Sequence, residues 1–403
     1  MKKRILISLT IIFLLFLIIG LYVKSLLQED KYSSKEESEY YKNSKSFPFK
    51  PLDTTFILGF HSEYYEIQKA ESNYEPYSPN KSFTPYTDSI YSMERTMGYD
   101  MQKIEIESIG KIEKTNILKY EKKDSIEAFV YESSEYESFL GDPGIWIGYS
   151  ENNGKDWRYY YTGIVQRQPV FIKYYSKRPL IKEKGKLEID ACLLRQLSPI
   201  EIPVGLPSYE CVQDGIYVVF DINVIAKDSD GDGLTDIVED KLYLNKYNKD
   251  TDGDGIPDNL DANPRVHYPR TEKSKVYEAI LTEDIGHKDM DWFFGRLVFN
   301  GNNTVYHVTD STKTVLIVTD DKDLMGIQPQ EYRVIFMTKD EYKNRANPYD
   351  SDLNRMYFSP LFKIDNKKNT YVVSYGGISW DDEYLVKKMI IGWRIKSLST
   401  TIS

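Results

Sequence analysis

Cysteine and histidine are scarce in this chain, with 2 and 4 residues among 403. His61, His267, His287 and His307 never stand four residues apart, and no cysteine neighbours one. That leaves no zinc-type ligand spacing, and each histidine reads as an ordinary surface or core side chain. A Gly-x-Ser-x-Gly segment is absent, which excludes a nucleophile elbow. A glycine-rich phosphate loop is also absent. Basic residues are outnumbered, 52 Lys and Arg against 62 Asp and Glu, for a net charge of −10. With no basic stripe, this balance argues against nucleic acid as a partner. Two carboxylates would suffice for a glycosidase. Asp289 and Asp291 precede Trp292, and Asp381, Asp382 and Glu383 follow Trp380. In so acidic a chain such neighbours arise by chance, and no catalytic pair is assigned.

The information is concentrated in residues 228–261. Two loops there repeat one spacing, 22 residues apart. The first carries Asp228, Asp230, Asp232, Gly233, Asp236 and Glu239. The second carries Asp250, Asp252, Asp254, Gly255, Asp258 and Asp261. Carboxylates at positions 1, 3, 5, 9 and 12 of a tight coil converge on one point, and glycine at position 6 permits the turn. A hard cation such as Ca²⁺ takes roughly six to eight oxygens. The backbone carbonyls of Leu234 and Ile256, at position 7, are the expected main-chain ligands. Their side chains are expected to form a small apolar seam between the loops. Residues 228–263 hold 11 acids and 3 lysines, a net −8. Carboxylates crowded this closely do not stay ionised without a cation.

The sequence DSDGDGLTD…DTDGDGIPD resembles a pair of thrombospondin type 3 calcium-binding repeats, over residues 228–263 only. The resemblance implies two structural calcium ions and a compact cassette with little hydrophobic core, typical of linkers in bacterial surface proteins. It implies nothing about catalysis. The cassette lacks the cysteines of the vertebrate repeats, and its spacer 240–249 replaces the usual Gly-Thr-Asp-Pro. That spacer is expected to form one or two helical turns after Glu239, with Leu242 and Tyr243 facing the core.

The N-terminus reads Met-Lys-Lys-Arg, followed by residues 5–23 without a charge. Nineteen helical residues span about 28 Å, close to a bilayer's hydrocarbon core. No Ala-x-Ala-like cleavage site follows, so the segment reads as an uncleaved signal anchor, with a cleaved secretory signal as the alternative. Lys2, Lys3 and Arg4 stay inside, and the bulk of the chain is exported. An exported location suits calcium, which is abundant there. It also suits a disulfide between Cys192 and Cys211, on predicted strands 186–195 and 209–221. Such a bridge would close a loop of roughly 20 residues, worth about 3 kcal/mol if unstrained.

The predicted fold is mainly β with a minor α+β component. Two β-rich, sandwich-like domains are joined by the calcium-loop cassette and preceded by an N-terminal transmembrane helix. The expected divisions are 1–27 anchor, 28–46 flexible stalk, 47–226 first β-rich domain, 227–264 cassette and 265–403 second β-rich domain. Alternating apolar runs mark strands at 103–109, 125–131, 145–149, 215–224, 296–299, 304–308, 313–319, 332–337 and 370–374. Asn300-Gly301 is a hairpin signal. Segment 383–395 fits either a helix or a strand. Ser150-Glu-Asn152-Asn-Gly154-Lys-Asp-Trp157 resembles an Asp-box, the structural hairpin of secreted β-proteins, with Asn in place of Asp.

Thirty-four tyrosines suit either strand formation or surfaces that stack on sugars and proteins. The leading expectation is a membrane-anchored, exported calcium-binding protein. Its domains would bind a protein or glycan of the envelope or the exterior. The alternatives are a calcium-stabilised carbohydrate-active hydrolase and a structural component of an envelope or secretion assembly.

Overall fold

The computed structural model describes residues 51, 53–71, 108–109, 112–113, 117–133, 144–165, 169–173, 176, 178–197, 209–282, 296–298, 313–329, 332–344, 355–364, 367–376, 380–390 and 392–402. The expected anchor 5–23, the stalk, the 304–308 strand, Asn300-Gly301 and the acids at 289 and 291 lie outside them. Among the described residues no helix is long and apolar enough to cross a membrane.

The protein is mainly β, with several antiparallel sheets. In the N-terminal half, Ile117–Lys123, Ile126–Glu132, Gly144–Ser150 and Arg158–Val165 form an antiparallel meander. Beside it, Tyr209–Asp221 pairs with Glu66–Lys69 on one edge and with Lys186–Gln196 on the other. Lys186–Gln196 also pairs with Val170–Ile172 and Ile181–Glu183. The Asp-box-like turn is a hairpin as read from its residues. Ser150 Oγ donates to Asn152 Oδ1 (2.9 Å), which also accepts the Asp156 N–H (3.0 Å). Trp157 lies against Phe129 with the ring planes tilted by 60° and the centroids 5.0 Å apart.

The C-terminal half departs from a simple sandwich. Lys313–Val318 runs parallel to both Tyr332–Met337 and Arg355–Phe358. The short helix Lys322–Met325 lies in the connection between the first two strands. Arg355–Phe358, Thr370–Gly376, Trp380–Lys388, Trp393–Ile402 and Arg296–Val298 extend the sheet antiparallel. The ambiguous segment 383–395 therefore belongs to two strands, Trp380–Lys388 and Trp393–Ile402, rather than to a helix. Asp382 and Glu383 are engaged in this pairing, opposite Tyr375 and Ser374.

Parallel strands are normally covered on both faces, and the side chains here divide accordingly. Val315, Ile317, Val334 and Phe336 join one apolar core, against the helix Glu272–Thr282. Leu316, Val318, Ile335 and Met337 join the other, with Ile147, Ile189, Val218 and Phe220 of the N-terminal sheets. The cassette enters that same core through Leu234, Ile237, Val238, Leu242 and Leu244. The expectation of a linker with little hydrophobic core is therefore corrected: the cassette helix is buried over most of its length and anchored in an interior shared by both halves. That helix spans Asp236–Leu242, beginning before Glu239 rather than after it. Tyr243 ends it in the left-handed conformation, φ 59°, and only Leu242 of the expected pair is fully buried. Burying a leucine stabilises by roughly 1.5–3 kcal/mol.

Cys192 and Cys211 are free thiols, one buried and one exposed. The expected bridge is not formed in this structure. Bulges around Leu193 set Cys211 opposite Leu194 rather than opposite Cys192. The sulfurs are nonetheless within hydrogen-bonding contact: that bond, then burial, raises the Cys192 thiol well above its ordinary range, and the same bond lowers Cys211.

Candidate metal centre

Each loop is wound by its own acids. Asp228 accepts the N–H groups of Gly231 (2.7 Å) and Gly233 (3.0 Å) on its two oxygens. Asp250 does the same for Gly253 and Gly255, both at 2.8 Å. Asp230 Oδ1 accepts from Asp232 N and Asp252 Oδ1 from Asp254 N. Asp232 Oδ1 takes the Leu234 N–H, and Asp254 Oδ1 takes that of Ile256. Gly233 and Gly255 have φ of 107° and 95°, values an L side chain resists. Every one of these bonds recurs 22 residues later, so the repeat in the sequence is a repeat in space.

Asp236 and Asp258, at position 9, tie each loop back to its second residue. Asp236 accepts the Ser229 N–H (2.7 Å), the Ser229 hydroxyl (2.8 Å) and Lys227 Nζ (3.1 Å). Asp258 accepts the Thr251 N–H (2.9 Å) and hydroxyl (2.6 Å). Both carboxylates fasten the end of a loop to its start.

The remaining oxygens define the site. Asp230 Oδ2, both oxygens of Glu239, Asp252 Oδ2 and Asp261 Oδ2 are buried without a hydrogen-bond partner. Glu239 is 0 % exposed and Asp261 1 %. These orphans also repeat at the 22-residue interval, at positions 3 and 12 of each loop. An unpartnered buried carboxylate oxygen is costly unless a cation meets it. One oxygen from each of Asp228, Asp230 and Asp232 lies within 4.8 Å of the others. Oxygen atoms so grouped suit a hard divalent ion.

Electrostatics register the same crowding. Burial, with Asp230 and Asp232 adding repulsion, pushes Glu239 up to about 8. Burial and Asp254 raise Asp261 to about 7 and Asp252 to about 6. Burial raises Asp258 to about 6 against the Thr251 bonds. Burial also raises Asp232. Asp236 moves the other way: burial is outweighed by its bonds from Ser229 and Lys227.

The two loops touch. Asn259 N donates to Asp232 Oδ2 (3.1 Å), and Lys249 Nζ donates to the Gly231 carbonyl (3.0 Å). The expected seam of Leu234 and Ile256 is not the contact. Leu234 is buried in the shared core, whereas Ile256 is half-buried.

Residues outside the spacing pattern also enter. His267, read from the sequence as an ordinary side chain, puts Nδ1 3.9 Å from Asp254 Oδ2. One donor atom from each of Asp252, Asp254 and His267 lies within 4.8 Å of the others. Asn259 Oδ1 is a further buried acceptor without a donor. Position 10 of the loop gave no signal for it. Both halves of the protein grip the cassette. Lys246 Nζ donates to Tyr64 OH (3.2 Å) and Asp240 Oδ2 (2.9 Å), and Tyr64 OH donates to the same carboxylate. On the other side Arg333 Nη2 donates to the Asn259 carbonyl (3.0 Å), and Val334 N to the Ala262 carbonyl (2.7 Å).

Compared with known proteins, the chain matches no family model, no curated protein sequence and no solved structure.

Proposed function

We propose that residues 228–261 hold two calcium ions whose role is structural. They stabilise the junction between the two β-rich halves of an exported, membrane-anchored protein that binds a protein or glycan outside the cytoplasm. The single observation that carries the calcium reading is the set of orphaned carboxylate oxygens on Asp230, Glu239, Asp252 and Asp261, repeated 22 residues apart. Loop hydrogen bonds occupy both oxygens of Asp228 and Asp250 and one oxygen each of Asp230, Asp252 and Asp261, and leave these without donors. A cation supplies what they lack, and an all-oxygen set at positions 1, 3 and 12 favours Ca²⁺ over softer ions. Asp228, Asp230, Asp232, the Leu234 carbonyl and Glu239 would hold the first ion. Asp250, Asp252, Asp254, the Ile256 carbonyl and Asp261 would hold the second, with Asp236 and Asp258 bracing the loops. Export and anchoring rest on the uncharged run 5–23 behind Lys2, Lys3 and Arg4. A binding role rests on the abundance of tyrosine, whose flat amphipathic ring suits sugar and protein surfaces.

The test is calorimetric titration of calcium into the full-length, detergent-solubilised protein after chelator treatment. Two ions per chain are expected, and none in a variant carrying Asp230→Ala with Asp252→Ala. A wild type that takes up no calcium, or a double variant that binds as well as wild type, overturns the reading.

A further inference from the structure

The donor clusters of the two loops are not alike. In the first, Asp228, Asp230 and Asp232 each contribute one oxygen. In the second, the cluster is Asp252, Asp254 and His267, so a ring nitrogen takes the part that the position-1 acid plays in the first. His267 lies beyond the end of the loop, on chain that is fastened to both halves. The Ala262 carbonyl accepts the Val334 N–H (2.7 Å). Arg265 donates to the carbonyls of Tyr243 (3.3 Å) and Phe336 (2.6 Å). Val266 and Tyr268, the two neighbours of His267, pack against the C-terminal core. His267 is left on the outside between them, its side chain 58 % exposed, with Nδ1 3.9 Å from Asp254 Oδ2.

That distance is too long for a hydrogen bond, and an ion pair so open to water contributes little. It suits two ligands of one ion: atoms each bonded to the same zinc at about 2.0–2.2 Å stand roughly 3–4 Å apart. The acids are set to receive such an ion. The Asp254 side chain is only 8 % exposed, and the Ile256 N–H occupies its Oδ1, which leaves Oδ2 for His267. Asp252 is fixed the same way through Oδ1, and its Oδ2 is buried without a donor. Calcium takes oxygen ligands, so an imidazole adds nothing to its hold. Imidazole with carboxylates suits a borderline ion such as Zn²⁺, for which three protein ligands and a water are a familiar shell. We infer that the second loop is also a zinc-class site, formed by Asp252, Asp254 and His267, where a transition-metal ion competes with calcium. The first loop, whose cluster holds carboxylates alone, stays a calcium site. The inference rests on the reading of the second loop as a cation site.

The experiment titrates chelator-stripped, full-length, detergent-solubilised protein with zinc chloride, with calcium chloride, and with calcium after zinc, in wild type and in His267→Gln. Wild type should take up a zinc ion that His267→Gln binds at least about tenfold more weakly, with both calcium affinities unchanged by the substitution. Zinc on wild type should block one of the two calcium ions. Zinc uptake that is absent, or that is as tight in His267→Gln as in wild type, overturns the inference and leaves the calcium reading standing. Calcium affinity that falls along with zinc affinity in His267→Gln overturns it too, since the side chain would then be a prop for the loop rather than a ligand. Should His267→Gln fail to fold, the competition decides: zinc that blocks no calcium, or both ions, overturns the inference equally. Zinc bound through His267 by a wild type that takes up no calcium would remove the calcium reading and leave the zinc site.

Discussion

Glu239 and Asp261 occupy the same place in two loops, 22 residues apart, each buried and each with carboxylate oxygen that no donor reaches. Without an ion these two positions oppose folding. A bound cation would offset that cost.

Replacement of Glu239 by glutamine should therefore act in opposite directions. In chelator, Glu239→Gln removes a buried charge crowded by Asp230 and Asp232, and the melting temperature should rise. In calcium, one ion should bind at least about tenfold more weakly, a loss of about 1.4 kcal/mol. Melting curves in both conditions check this. A fall in both would place Glu239 in packing rather than in ion binding.

Calcium affinity should fall with acidity. Glu239 stands at about 8 and Asp261 at about 7, whereas in an unfolded chain such groups titrate near about 4. Their folded pKa values are raised, so the ion-free fold holds more protons than the unfolded chain between about pH 4 and 8. Over that window these groups make the ion-free protein lose stability as pH rises. Calcium binding must displace the same protons. Titration at pH 7 should show proton release, seen as a binding heat that depends on the buffer, and affinity should drop from pH 8 to pH 6. A buffer-independent heat would contradict the assigned ligands.

Leu242 is fully buried in the core shared by the cassette and both halves. Leu242→Ala should cost about 2–5 kcal/mol. The loss should appear in chelator as well as in calcium, since it comes from packing rather than from the ion. Chemical denaturation under both conditions measures it. A loss below about 1 kcal/mol would mean the helix is held by its ends alone.

Cys192 and Cys211 are in sulfur contact on adjacent strands. Under mild oxidation the pair should close into a disulfide, each thiol giving up a proton and the added disulfide reagent taking the two electrons. Free-thiol counting before and after oxidation is the check. Two thiols persisting after treatment would show that the bulges at Leu193 keep the backbones from adjusting.

The loops are legible in the sequence because their chemistry is local. Positions 1 to 12 of each contain the turn glycine, the winding aspartates and the terminal acid. What escapes a sequence reading is how those acids divide their work. Asp236 and Asp230 look alike in the repeat, yet one is spent on Ser229 and Lys227 while the other keeps an oxygen without a donor. The nearness of His267 to Asp254, and of Asn259 to Asp232, depends on chain segments that only the fold brings together. Most strands are legible from alternation, but the runs at 315–318 and 334–337 are apolar throughout. They announce strands without announcing that both faces are covered, so the parallel pair and its helix stay hidden. The β-rich class is therefore accessible from residues, and the shared interior is not.

That interior governs how the molecule can be divided. Leu316, Ile335 and Met337 lie against the same apolar mass as Ile189 and Val218, so cutting the chain after residue 264 would leave each fragment with a raw oily face. Separately produced halves should clump or cling to each other, and sequence ends chosen for expression should keep both sides of the acidic cassette in one polypeptide.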